Sequence, residues 1–201
     1  MESRRMNKIR TLFATVVLCT AMSAAQTATW KLDKSHSQVK FSVAHLVISE
    51  VTGVFKDFDV AFVSASDDFT DAAIEATIKT ASIDTGNENR DKHVRGDEFL
   101  NVEKFPEIKF KSTKVEKNGE NNYKVTGDLT IREVMKDVIL DMKYKGSIKD
   151  MRGNPVVAFK ATTTVDRFEF GTTWDKVIEG GGLVAGKDVE ITLLMEFRKQ
   201  K

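Results

Sequence analysis

The chain predicts an all-β protein: an antiparallel sheet of about eight strands closed into a barrel around an apolar lumen. Three observations predict it. Apolar and polar residues alternate with period two in stretch after stretch, which gives each strand one dry face and one wet face. Turn signals such as Asn118-Gly119 and Gly153-Asn154-Pro155 separate the stretches. No strongly amphipathic helix is present to cover the dry faces, so they must face one another.

Taken in order, residues 1–25 precede the fold. Arg4, Arg5, Lys8 and Arg10 form a basic start, Leu12 to Met22 is a short apolar run, and Ser23-Ala24-Ala25 offers a cleavage site. That sequence of features reads as a signal peptide, with the mature chain starting near Gln26 and lying in the periplasm or outside the cell. The apolar run is shorter than the roughly 20 residues a spanning helix needs. The remainder, residues 26–201, reads as one domain, since no linker, repeat or low-complexity tract divides it.

Thr29 to Leu32 and Gln38 to Leu46 read as opening strands, with Val39, Phe41 and Val43 inward. Gly53 to Phe62 follows, then a polar turn from Ser64 to Asp71, then a strand over residues 72–83 with Ile74, Ala76 and Ile78 in phase. Residues 107–117, 122–132, 138–148, 156–167 and 188–198 complete the set. Asn87 to Asn101 breaks the rhythm. It is rich in helix formers, Asn87 or Thr85 is placed to cap it, and Val94, Phe99 and Leu100 give it a modest apolar face. It predicts a short helical insertion around residues 87–101, packed over a barrel mouth or side.

Composition excludes several classes. Residues 1–25 carry four basic residues and one acid, so the remainder holds 27 basic and 29 acidic residues, a formal charge of −2. That balance lacks the basic excess nucleic acid demands. The single cysteine, Cys19, falls in the leader, which leaves neither disulfide nor thiol nucleophile. Nucleophile-elbow, phosphate-loop and zinc-helix motifs are missing. Three scattered histidines, His36, His45 and His93, lack metal-ligand spacing. No catalytic set and no metal site follow from these residues.

The inward set decides between a filled barrel and a hollow one. Large residues, Phe41, Phe110, Phe159 and Phe197, are interleaved with small ones, Ala76, Gly127, Ala161 and Thr163. Such mixtures suit a tight core and equally a channel for a flat or linear chain. Arg90-Asp91-Lys92-His93 admits two readings, an ion-paired knot tying helix to barrel or a contact for a polar ligand head. The segment from Arg167 to Gly171, with Trp174 beyond, poses the same choice.

Several runs carry a family likeness. Trp30-x-Leu32-Asp33-x-x-His36-Ser37-x-Val39-x-Phe41-Ser42-Val43-x-His45-Leu46 resembles the opening of the YceI-like family. The likeness continues through Gly53-x-Phe55, Ser82-Ile83-x-Thr85-Gly86, Arg90-Asp91-x-His93 and the run from Phe99 to Phe110. It ends with Gly127-x-Leu129-Thr130-Ile131 and Arg167-x-x-Phe170-Gly171. One departure is Arg132-Glu133-Val134-Met135-Lys136, where the family usually places a glycine and a threonine. The resemblance implies a lipocalin-like barrel of eight antiparallel strands in the bacterial periplasm. Members hold a polyisoprenoid or another amphiphilic lipid in the lumen, and some are associated with isoprenoid quinones or with alkaline or osmotic stress. It implies no catalytic residues and no cofactor beyond a bound isoprenoid lipid or quinone.

The resulting expectation is a carrier of a long-chain amphiphile, a monomer or homodimer in transient contact with a membrane. Its ligand-binding residues are Phe41, Val43, His45, Ala76, Arg90, His93, Phe110, Leu129, Met142, Phe159, Ala161, Phe170 and Trp174. Two alternatives stand beside it: a lipid-modifying isomerase or cyclase using His45 or His93, and a ligand-free envelope protein with a structural or stress role.

Overall fold

The computed structural model describes residues 28–200; the leader expected over residues 1–25 lies outside them. Eleven β-segments form one antiparallel sheet. They are β1 (Ala28–Leu32), β2 (Gln38–His45), β3 (Ser49–Phe55), β4 (Phe58–Ser64), β5 (Ala73–Lys79), β6 (Ile83–Asp84), β7 (Glu107–Lys117), β8 (Asn122–Ile131), β9 (Val134–Lys149), β10 (Pro155–Asp166) and β11 (Ala185–Lys199). The ring β1-β4-β5-β7-β8-β9-β10-β11 closes through β11 pairing with β1, with Leu32 opposite Phe197. This is the eight-stranded antiparallel barrel.

The surplus segments are continuations. β11 pairs with β1 near its end and with β2 over Ala185 to Leu194. β1 and β2 are therefore one strand, kinked by a 3₁₀ turn at Lys34–His36. β3 and β4 are likewise one strand broken at Lys56-Asp57, and β5 runs into β6 through the 3₁₀ turn Thr80–Ser82. The kink at Lys34–His36 explains the Asp33-x-x-His36-Ser37 run. Asp33 caps the turn by accepting from Ser35 N at 3.1 Å, and its other oxygen meets His36 Nδ1 at 3.1 Å and Arg198 at 2.5 Å. Glu196 N donates to Ser37 Oγ at 3.0 Å, while Asp33 N donates to Glu196 O at 2.8 Å. The hydroxyl thus replaces a ladder acceptor lost at the kink.

The expected helix is α1 (Glu88–Arg95), capped by Asn87, whose side chain accepts from Arg90 N at 3.0 Å. Arg95 donates to the carbonyls of Ala81 and Ile83 and so pins α1 against the end of β5 and β6. Arg132 donates to the carbonyls of Asp97 and Phe99 and pins the following loop to the β8–β9 turn. Together α1 and residues 96–106 lie over one end of the barrel.

Three strand starts differ from the sequence reading. β9 starts at Val134 rather than Val138, β11 at Ala185 rather than Asp188, and β3 at Ser49 rather than Gly53. The early parts of these strands pair on one side only or cross a bulge, so period two weakens there. The Ser64–Asp71 turn is not merely polar: Phe69 within it is 4 % exposed.

Candidate functional site

The two ends of the barrel are built differently. At the end holding the β4–β5, β7–β8 and β9–β10 turns, the inward residues are large and meet. Phe62, Phe159 and Phe197 form a floor, with ring centroids 5.4 Å apart for Phe62–Phe159 and 5.0 Å for Phe62–Phe197. Phe69 reaches in from its loop behind them, 5.2 Å from Phe159 and 6.0 Å from Trp30.

Above this floor the lumen is hollow. The cavity has a volume of about 360 Å³ and is lined almost wholly by carbon. Its wall on β10 runs from Phe159 through Ala161 and Thr163 to Val165, roughly 20 Å of strand at about 3.3 Å per residue. Two glycines help keep it open. A Cβ at Gly53 would lie 2.6 Å from Phe41 Cε1, and one at Gly127 would lie 2.6 Å from Phe110 Cζ. Both rings therefore lie flat across a strand that has no side chain there, instead of projecting toward the axis.

The structure brings all thirteen expected residues to this one cavity. Phe41, Val43 and His45 come from β2, Ala76 from β5, Phe110 from β7, Leu129 from β8, Met142 from β9, and Phe159 and Ala161 from β10. Arg90 and His93 come from α1, and Phe170 and Trp174 from the β10–β11 connection. Phe99, from the loop after α1, completes an aromatic group at the mouth. Its ring is 5.0 Å from His93 and 5.4 Å from Trp174, and His93 is 5.6 Å from Trp174.

Of the two readings of Arg90-Asp91-Lys92-His93, the ion-paired knot does not form between Arg90 and Asp91. Arg90 and Asp91 both bind Thr85 rather than each other. Asp91, 7 % exposed, accepts from Thr85 N at 2.8 Å and Thr85 Oγ1 at 2.6 Å. Arg90 donates to Thr85 Oγ1 at 2.8 Å and Thr85 O at 2.9 Å. Adjacent residues on a helix diverge by about 100°, so each side chain reaches the strand from its own side and a shared hydroxyl joins them. His93 stands apart and pairs with Glu98 at 3.1 Å, with both groups about half exposed.

Arg167, outside the thirteen expected residues, also lines the cavity. It is 7 % exposed and donates to Gly186 O at 2.9 Å, Ala185 O at 3.0 Å and Thr172 Oγ1 at 3.2 Å. Its guanidinium lies 4.1 Å from the Phe168 ring and 5.6 Å from the Phe99 ring. Burial pushes its pKa below the usual arginine value. The Arg167-x-x-Phe170-Gly171 run was the signal that could have found it, because Gly171 in the left-handed region at φ 77° turns the chain so that Thr172 reaches back to Arg167.

Asp33, His36 and Glu196 gather ligand atoms within 4.8 Å of one another. The Asp33 oxygens are already taken by Ser35, His36 and Arg198, which pull its pKa down to about 2. An arginine in contact with the same carboxylate opposes a cation there, so this group reads as a brace for the kink.

A profile of YceI-like domains matches residues 30–197. The chain belongs to the YceI-like family. A UPF0312 protein of Serratia proteamaculans is 41 % identical over 192 residues, covering 94 % of this chain and 96 % of that one. The crystal structure of the Campylobacter jejuni YCEI protein superposes with a TM-score of 0.68 at 30 % identity, covering 85 % of this chain and 98 % of that one. A polyisoprenoid binding domain from Saccharophagus degradans, implicated in plant cell wall breakdown, shares the fold with a TM-score of 0.60 at 11 % identity, over 87 % of this chain and all of that one.

Proposed function

We propose that this YceI-like protein is a periplasmic carrier that holds the tail of a long-chain amphiphile, a polyisoprenoid or isoprenoid quinone, in its lumen. The observation that carries the proposal is the one-ended apolar cavity above the aromatic floor. Such a space excludes water without offering it hydrogen-bond partners, so an apolar tail is its natural occupant. Each buried CH₂ contributes about 0.8 kcal/mol, and ten of them outweigh any single polar contact. The polyisoprenoid binding domain of Saccharophagus degradans, on the same fold, supports the choice of ligand class. Periplasmic placement rests on the basic, apolar, small order of residues 1–25, and intact mass should show a chain starting near Gln26.

Binding rather than catalysis accounts for the lining. The imidazole–carboxylate pair, His93 with Glu98, is half exposed at the rim, and Thr85, the nearby hydroxyl, is committed to Arg90 and Asp91. The test is an organic extract and a native mass spectrum of wild type and of Ala161→Trp. Ala161 faces the lumen opposite Met142 and Leu193. An indole there should fill the space a tail needs. The wild type should release a long-chain lipid, and the variant should fold and purify empty. A wild type that never carries lipid, with a variant that melts far lower, defeats the carrier reading in favour of a filled barrel.

A further inference from the structure

The rim of the mouth carries an apolar projection that the lumen does not use. The β2–β3 turn is Leu46-Val47-Ile48, with Val47 64 % and Ile48 89 % exposed. Its backbone is unusual as well. Leu46 has φ 51° and Val47 φ 69°, the left-handed region that glycine and asparagine occupy readily and a β-branched residue rarely does. A hairpin tip built only to turn the chain would place Asn or Gly there. This one keeps two bulky apolar residues at a conformational cost and exposes them to water.

A second tip lies against it. Residues 176–184 form a small hairpin, closed by Ile178 N to Gly182 O at 2.9 Å and Val184 N to Lys176 O at 2.8 Å. It carries Val177, 71 % exposed. Leu46 N donates to Val184 O at 2.9 Å, and a Cβ at Gly182 would lie 2.9 Å from Val47 Cγ2, so the two tips make one knob. The knob is continuous with the cavity, because His45 and Val184, at the bases of the tips, line it.

We propose that this knob inserts into a lipid bilayer surface and sets the mouth against it, so that a tail passes between membrane and lumen without crossing water. The occupant is a lipid surface because the knob adjoins an apolar lumen rather than a polar groove. Residues 46–48 carry no charge, and the second tip adds one charge of each sign, Lys176 and Glu179, so the docking is mainly apolar and depends only weakly on salt. The proposal takes its purpose from the carrier reading but is measured independently of it.

The test is sedimentation with phosphatidylcholine vesicles, at low and high salt, of wild type and two double variants. Leu46→Asn with Val47→Gly suits the observed φ values, so this variant should melt no lower than wild type. It should lose about tenfold or more in vesicle affinity. Met151→Asn with Ile148→Thr removes two exposed apolar residues at the opposite end and should bind as wild type does. All three proteins are tested as the mature chain starting near Gln26, so the apolar leader makes no contribution. The proposal is overturned if wild type ignores vesicles, if the tip variant binds unchanged, or if both variants lose affinity alike. It is also overturned if the tip variant changes only self-association. Uptake of a fluorescent fatty-acid probe from solution should be equal in all three proteins. If none takes up the probe, the carrier reading fails while the vesicle result stands on its own.

Discussion

The floor and the mouth of this barrel are made by the same eight strands, yet one is solid and the other hollow. At the floor, the inward residues on neighbouring strands are large on both sides: Phe62 lies opposite Ile74 and Trp30, Phe159 opposite Met195 and Tyr144. Nearer the mouth a large residue faces a small one, as Phe41 faces Gly53 and Ala161 faces Met142. Alternation alone makes both ends of the barrel dry. The volume summed across each strand pair decides whether the dry space is filled.

Phe62→Ala should break the comparison most visibly. Phe62 is 1 % exposed and touches Trp30, Phe69, Phe159 and Phe197. Its truncation should cost about 3–5 kcal/mol, a fall of roughly 10 °C in melting temperature. Phe41→Ala, the same chemistry at the cavity wall, should cost less than half as much, since one side of that ring already faces space. Equal losses in thermal melts would mean that the lumen is packed like the floor.

Next in size is Phe69→Ala. Phe69 has φ 57° and is held by a loop in which Asp71 accepts from Ser64 Oγ at 2.6 Å and Ala65 N at 2.7 Å. Removing the ring should cost about 2–4 kcal/mol and deepen the lumen from below. Lipid extracted from the variant should shift toward longer chains. An unchanged chain-length profile would show that Phe62, Phe159 and Phe197 alone set the depth. Arg167→Met should cost about 2 kcal/mol, because three carbonyl and hydroxyl acceptors near the mouth lose their donor. Fluorescence of Trp174 should report the loosening, while the floor aromatics keep their near-ultraviolet dichroism.

The barrel and its lining were legible in the sequence because both follow from period two. Val189, Ile191, Leu193, Met195 and Phe197 declare one face of β11 without reference to any other strand. What period two does not carry was read poorly. Phe69 sits among Ser66, Asp67, Asp68 and Thr70, and only the folded loop aims it inward. Arg90 and Asp91 look like an ion pair when adjacent in sequence, but helical geometry separates them and Thr85 collects both. Leu46 reads as the end of a strand, and only the backbone angles reveal Leu46-Val47-Ile48 as a turn. The motif Asp33-x-x-His36-Ser37 was visible as a likeness, while its reason, a kink between β1 and β2 where both pair with β11, needed the register.

That kink joins the two regions, and it supplies the smallest and most specific prediction. Asp33 stands where β1 of the floor becomes β2 of the mouth. Hydrogen bonds from Ser35 and His36, with Arg198 beside it, hold its pKa at about 2 against an ordinary 3.8. A carboxylate with a depressed pKa stabilises the fold at any pH above its unfolded value, and that contribution is lost as pH falls from about 4 toward 2. The site is near the surface and partly screened, so the expected loss is about 1 kcal/mol. Asp33→Asn should lower stability at neutral pH by a similar amount and flatten the acid limb of the stability curve. Asp68 and Asp71, whose pKa values are also lowered by hydroxyl hydrogen bonds, keep their own acid sensitivity at the floor in that variant. Urea titrations at a series of pH values resolve the two contributions. An acid limb unchanged by Asp33→Asn would mean that the joint between floor and mouth is held by Ser37 and Glu196 alone.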